Sequence, residues 1–256
     1  MTTPLLAELL TLSHELGDPV RGMAILGEGN TSARAPGNDA DSFWVKASGS
    51  ELSTLRPEQL VRVSFAACRE LMNGPDLTDE QIKDGLQAAV VEGPDGVRPS
   101  VETVLHAGLL ELPGIHFVGH THPTAINALT CSDRFGEALT QRLFPDQIVV
   151  CGPSAVLVTY VDPGLPLARE VLSGARAYAV QWGEPPKTVY MQNHGFIALG
   201  KSAKQVLQIS QMAVKSAEIL SGAFAVGSPQ FMTAPQVARI AGRDDEHYRQ
   251  KVLDGG

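Results

Sequence analysis

Ile115-His116-Phe117-Val118-Gly119-His120-Thr121-His122-Pro123 is the stretch whose reading decides the fold and the chemistry. Its run from Ile115 to Val118 predicts a buried strand that ends on two histidines two residues apart. Side chains alternate faces along a strand, so His120 and His122 share one face, their Cα atoms roughly 6–7 Å apart. Two imidazoles so placed can converge on one ion at about 2.0–2.1 Å each. A buried strand carrying two polar rings on one face also needs something for both of them to bind. Gln192-Asn193-His194-Gly195 offers a third imidazole, again at the end of a β-rich run, Thr188 to Met191. Pro99-Ser100-Val101-Glu102 places a carboxylate at the head of a predicted helix. Three protein nitrogens and an open position describe a catalytic zinc site rather than a closed structural one. His14, His106, His116 and His247 stand alone in sequence and read as hydrogen-bonded residues outside the metal.

The 256 residues suit one large domain or two small ones, and the expectation is a single α/β domain over residues 1–256. Hydrophobic residues make up 43% and charged residues 19%, so a substantial core can form and disorder is not expected. Net charge is −8 and the 20 basic residues form no run, which argues against nucleic acid as a partner. The three cysteines are widely spaced, with no C-x-x-C pair, so neither a disulfide framework nor a cysteine-rich zinc module is expected. No apolar stretch reaches the roughly 20 residues needed to span a bilayer, and no secretory leader is evident. The expectation is a soluble, cytoplasmic protein with no membrane partner.

Along the chain, residues 4–16 predict an amphipathic helix with Thr3 as cap, Pro4 in the first turn and Gly17 as stop. Phe43 to Lys46 predicts a strand, and Ala47-Ser48-Gly49-Ser50 a tight loop of small residues. Residues 57–72 predict a helix opened by Pro57; residues 74–98 read as surface loop with a short helix. Further helices are predicted from Glu102 to Leu112, Thr124 to Leu129, Ala138 to Leu143, Pro166 to Trp182 and Ala203 to Phe224. A last one is expected from Pro235. The β-branched runs Gln147–Val150 and Ala155–Tyr160 predict strands, as do Thr188–Met191 and Phe196–Leu199.

Gly27-Glu28-Gly29-Asn30-Thr31-Ser32 lacks the third glycine of a dinucleotide fingerprint, and no clear helix follows it. Its glycines and Asn30 suit an anion cradle instead, together with Ser48, Gly49 and the Ser100 hydroxyl near a helix terminus. There is no G-x-S-x-G elbow and no P-loop.

Taken in order, G-E-G-N-T-S, K-A-S-G-S, P-S-V-E-T-V-L-H, G-H-T-H-P and Q-N-H-G resemble the class II aldolase/adducin family over roughly residues 5–225. The spacing is most similar to the aldolase portion of proteins that fuse such a domain to a short-chain dehydrogenase. The resemblance implies a three-layer α/β/α sandwich around a mostly antiparallel sheet, and a homotetramer with active sites between subunits. It implies Zn²⁺, or another divalent transition metal, on His120, His122 and His194, with Glu102 as the catalytic carboxylate. Asn30, Ser48, Gly49 and Ser100 fall on positions that hold the phosphate of a sugar phosphate substrate. Two hydroxyls of that pocket are missing, since Gly27 and Val101 stand where threonine and serine are expected; Lys46 could supply a charge in their place. The general-acid tyrosine has candidates in Tyr160, Tyr190 and Tyr248, with Tyr248 preferred because C-terminal tails of the family can reach an active site. The implied reaction is reversible aldol cleavage of a ketose phosphate through a metal-stabilised enediolate. Sugar-phosphate 4-epimerisation, decarboxylation of a 3-keto acid, metal-dependent hydrolysis and a non-catalytic adducin-like module are the alternatives. The last fits poorly, because adducin heads lack the three histidines retained here.

Overall fold

The structure is a computed structural model and describes residues 3–243 and 245. The first helix, α1 (Pro4–Gly17), is capped as expected, with the Thr3 side chain accepting from Leu6 N–H. Three strands follow, β1 (Asn30–Arg34), β2 (Ser42–Lys46) and β3 (Leu60–Ser64), then α2 (Phe65–Asn73), α3 (Asp79–Ala88) and the short β4 (Val90–Glu92). Next come α4 (Thr103–Leu110), β5 (Phe117–Thr121), α5 (Thr124–Thr130), α6 (Phe135–Thr140), α7 (Pro145–Cys151) and β6 (Val156–Val158). The chain continues through α8 (Leu165–Trp182), β7 (Thr188–Met191), β8 (Gly195–Gly200), α9 (Ala203–Val226) and α10 (Ala234–Ala241).

The strands make one sheet in the order β4-β3-β2-β1-β5-β8-β7-β6. Every neighbouring pair is antiparallel except β6 and β7. Alternation along each strand sends residues to two separate cores. On β8, Phe196 and Ala198 join α1, α5 and α9 on one face, while Ile197 and Leu199 join α4 and α8 on the other. That gives the expected three layers. Strand β5 lies in the interior of the sheet, with β1 on one side and β8 on the other. Gly119 keeps it there: a Cβ would stand 2.8 Å from Val206 Cγ1 and 2.9 Å from Leu16 Cδ1, so only hydrogen fits beneath α1 and α9.

Two predicted elements differ. Residues 57–72 are not one helix: Pro57–Gln59 form a 3₁₀ turn, Leu60–Ser64 form β3, and only then does α2 begin. Val61 and Val63 are buried on one face, and Arg62 points outward to Asp39 and Glu92 at 2.7 and 2.9 Å. That period-2 alternation prevails over the helical spacing. Residues 147–150 lie in α7 rather than in a strand. Pro145 in the first turn and Gly152 at φ 86°, with its N–H donating to Ile148 O, define the helix despite its β-branched residues. Smaller shifts place α6 three residues earlier than expected and find both α3 and the edge strand β4 in the 74–98 stretch.

Candidate metal centre and the loops around it

The β1–β5 ladder sets Asn30 opposite His120 and Ser32 opposite Val118, so these four side chains face α4. His120 is fully buried, and its Nδ1 lies 3.0 Å from Phe196 O, which leaves Nε2 as the free ligand atom. His122 sits one residue beyond β5, where its backbone N–H donates to Met23 O at 2.9 Å. The β7–β8 turn delivers His194. Asn193 turns the chain at φ 53°, its N–H donates to Thr130 O at 3.2 Å, and Asn127 Nδ2 donates to His194 O at 3.0 Å. Helix α5, which begins just past His122, therefore also clamps the turn carrying His194. Gly195 makes the approach possible, because a Cβ there would lie 2.7 Å from His122 Cδ2 and 3.2 Å from His120 Cε1.

The three imidazoles meet. His120 Nε2 and His122 Nε2 are 3.0 Å apart, and one ligand atom from each of the three rings lies within 4.8 Å of the others. Nitrogens about 2.05 Å from one tetrahedral ion would stand ~3.3 Å apart, close to the His120–His122 spacing, and the third ring is near enough to complete a group that could hold a divalent cation. Glu102, N-cap residue of α4, adds its carboxylate: Oε2 is 3.5 Å from His120 Nε2 and Oε1 is 3.3 Å from His194 Nε2. Burial pushes the His120 and His122 pKa values down to about 4, which keeps both rings neutral, the ligand form. Burial opposes ionisation of Glu102, but His120, His194 and His106 outweigh it and hold the carboxyl well below its usual range.

The anion-cradle residues gather beside this group. Ala47 bridges Pro99, and Ser48 N–H donates to Arg98 O at 2.9 Å, which joins the Ser48-Gly49 loop to the segment ahead of α4. Ser48 and Gly49 are exposed, and the Ser100 hydroxyl accepts from Glu102 N–H at 3.3 Å. Lys46 is buried; its ammonium donates to Ser50 O at 2.6 Å and Gly27 O at 3.4 Å, tying two loops together. Burial lowers its pKa to about 8 against the pull of Glu102. Asn30 is close by, with its amide turned to Glu102 Oε2 at 2.6 Å. Of the tyrosine candidates, Tyr190 is buried against Phe196 in the core, Tyr160 is exposed and bonded to Asp162, and Tyr248 lies outside the described residues.

Three neighbours of the metal group have no role in it assigned from sequence. Glu28 Oε1 lies 3.7 Å from His122 Nδ1, on the side of the ring away from the metal position, with Ile25 N–H holding its other oxygen at 3.0 Å. Asn127 holds the His194 turn. His106 is hydrogen-bonded, as expected, but one helical turn below Glu102, with Nδ1 2.7 Å from Ser32 Oγ. Glu28 stands inside the quoted G-E-G-N motif, so its position was signalled although its role was not.

This sheet, with three histidines gathered from the end of β5 and the β7–β8 turn, has the class II aldolase fold, as comparison with known proteins shows. Residues 7–221 match the model of the class II aldolase and adducin N-terminal domain, and the chain belongs to that family. It is 30% identical over 216 residues to the "uncharacterized oxidoreductase YuxG" of Bacillus subtilis (strain 168), covering 82% of this chain. The chain spans only 29% of that relative's length. Among solved structures, it resembles the N-terminal class II aldolase domain of a Thermoplasma acidophilum protein, at TM-score 0.64 and 28% identity, covering 84% of this chain and 92% of the other. It also resembles an L-fuculose 1-phosphate aldolase, at TM-score 0.67 and 19% identity, covering 95% of each chain. No helix among the described residues is long and apolar enough to cross a membrane.

Proposed function

We propose that the protein catalyses metal-dependent, reversible aldol cleavage of a ketose phosphate. The observation that carries this reading is the meeting of three imidazole nitrogens and one carboxylate near the exposed Ser48-Gly49 loop. His120, His122 and His194 would hold zinc, although imidazole also accepts Mn²⁺, Co²⁺ or Fe²⁺. When bound, the ion supplies Lewis acidity to the substrate carbonyl and shares the charge released as the carbon–carbon bond breaks. Glu102, ionised and within reach of the same position, takes and returns the proton at the carbon next to the carbonyl. Ser48, Gly49, Ser100 and the Lys46 ammonium hold the phosphate, with Asn30 bordering the same pocket. Tyr248 remains the proposed general acid. The same reading carries a single domain over residues 1–256 and a homotetramer.

The test is dihydroxyacetone phosphate release from a panel of ketose 1-phosphates, with and without a chelator. Chelator-sensitive release is expected. Silence across the panel with metal bound would overturn the aldolase reading in favour of 4-epimerisation or decarboxylation, and silence without metal would favour a binding module.

A further inference from the structure

Strand β1 and helix α4 are joined by two polar rungs in the interior. Asn30 and Ser32 are two residues apart on one face of the strand, and Glu102 and His106 are four apart on one face of the helix. The rises match, since two strand residues and four helix residues each advance roughly 6–7 Å. Asn30 Nδ2 donates to Glu102 Oε2 at 2.6 Å, and Ser32 Oγ meets His106 Nδ1 at 2.7 Å. Both members of the first rung are buried, Asn30 at 5% exposure and Glu102 at 8%. Asn30 is also rigid. It pairs with His120 in the ladder, and Gly29 before it, at φ 69°, presses so close to β5 that a Cβ would stand 2.5 Å from His120 O.

We propose that Asn30 is a positioning residue for Glu102, clamping one carboxylate oxygen so that the other is directed at the metal and the reacting carbon. A phosphate ligand in this position would need its donor turned to the exposed Ser48-Gly49 loop. One of the two Asn30 amide N–H groups is given to a carboxylate that touches two of the three metal-site rings, a contact that holds whatever the other N–H meets. An amide suits this task because it donates without adding charge: an aspartate would repel Glu102, and an alanine would leave one buried carboxylate oxygen without its donor.

The kinetic part of the test rests on the aldolase reading, and the spectroscopic part does not. Asn30→Ala and the milder Asn30→Ser, which keeps a short donor, are loaded with Co²⁺, whose visible absorption reports the number and arrangement of its ligands. Both variants should show an altered Co²⁺ spectrum at equal loading, because Glu102 is no longer held in one orientation. On a substrate that the wild type cleaves, kcat of Asn30→Ala should fall about 100-fold, the scale of a misplaced catalytic group, with KM changed less than about threefold. Asn30→Ser should recover part of that loss. Cobalt spectra that superimpose on the wild type overturn the proposal whether or not the protein is an aldolase. So does a rise in KM as large as the fall in kcat, which would make Asn30 a phosphate ligand.

Discussion

Glu102 and Lys46 carry opposite charges at the same site, and each can be tested by removing charge while keeping most of the shape. Glu102→Gln keeps the three imidazoles and the Asn30 contact region but cannot accept a proton. Metal content, measured by atomic absorption, should stay near that of the wild type while kcat drops about 10²–10⁴-fold, the usual worth of a positioned acid or base. Full activity in that variant would remove Glu102 from the mechanism. Lys46 gives a pH signature. Burial lowers its pKa to about 8, so the ammonium is present below that pH and lost above it. A substrate phosphate gains its second charge near pH ~6. The kcat/KM for a phosphorylated substrate should therefore rise through about 6 and fall through about 8. Lys46→Met should flatten the falling limb and raise KM for phosphorylated substrates only. If the falling limb persists in Lys46→Met, another group owns it.

The second β1–α4 rung gives a test at the level of the element. His106 is fully buried, and its Nε2 has no partner among the described residues, so Ser32 supplies its single hydrogen bond. Ser32→Ala should cost about 1–3 kcal/mol in urea unfolding, with an unchanged m-value. Burial holds the ring neutral by lowering its pKa to about 4. An unfolded chain takes up that proton near 6.5, so it binds more protons than the native state between pH 4 and 6.5, and stability must fall as pH drops through that window. His106→Leu should shrink this acid slope without abolishing it, since His120 and His122 are lowered in the same way. An unchanged slope would show that the ring is not kept neutral. Elements of this kind were legible wherever caps and periodicity agreed: α1, α8 and α9 lie within a residue or two of where their apolar stripes predict. Legibility failed where two signals competed over a few residues. Leu60–Ser64 carries a helix-compatible count of apolar residues but pairs edge-on with β2, a long-range fact no local window contains. The α7 segment reversed the error, with β-branched residues held helical by Pro145 and by packing against α9.

The metal group draws on parts of the chain that are distant in sequence: Glu102 from the head of α4, His120 and His122 from the end of β5, and His194 from the β7–β8 turn. Motif order made each residue legible singly. Their meeting is a property of the whole sheet, since it depends on β1, β5 and β8 lying side by side and on α5 clamping the His194 turn. An ion bound there ties these segments together only in the native state, so metal should act as a global stabiliser. At a free concentration about 100 times its Kd, the gain is ~2.7 kcal/mol, equivalent to roughly 5–10 °C in Tm for a chain of this size. Calorimetry of zinc-loaded and chelator-treated protein should show that difference. His194→Ala should abolish it, because only two imidazoles remain. A Tm that rises with zinc equally in the wild type and in His194→Ala would mean that the ion binds elsewhere on the molecule. A Tm indifferent to zinc in both would leave the three histidines without the ion to which their geometry is fitted.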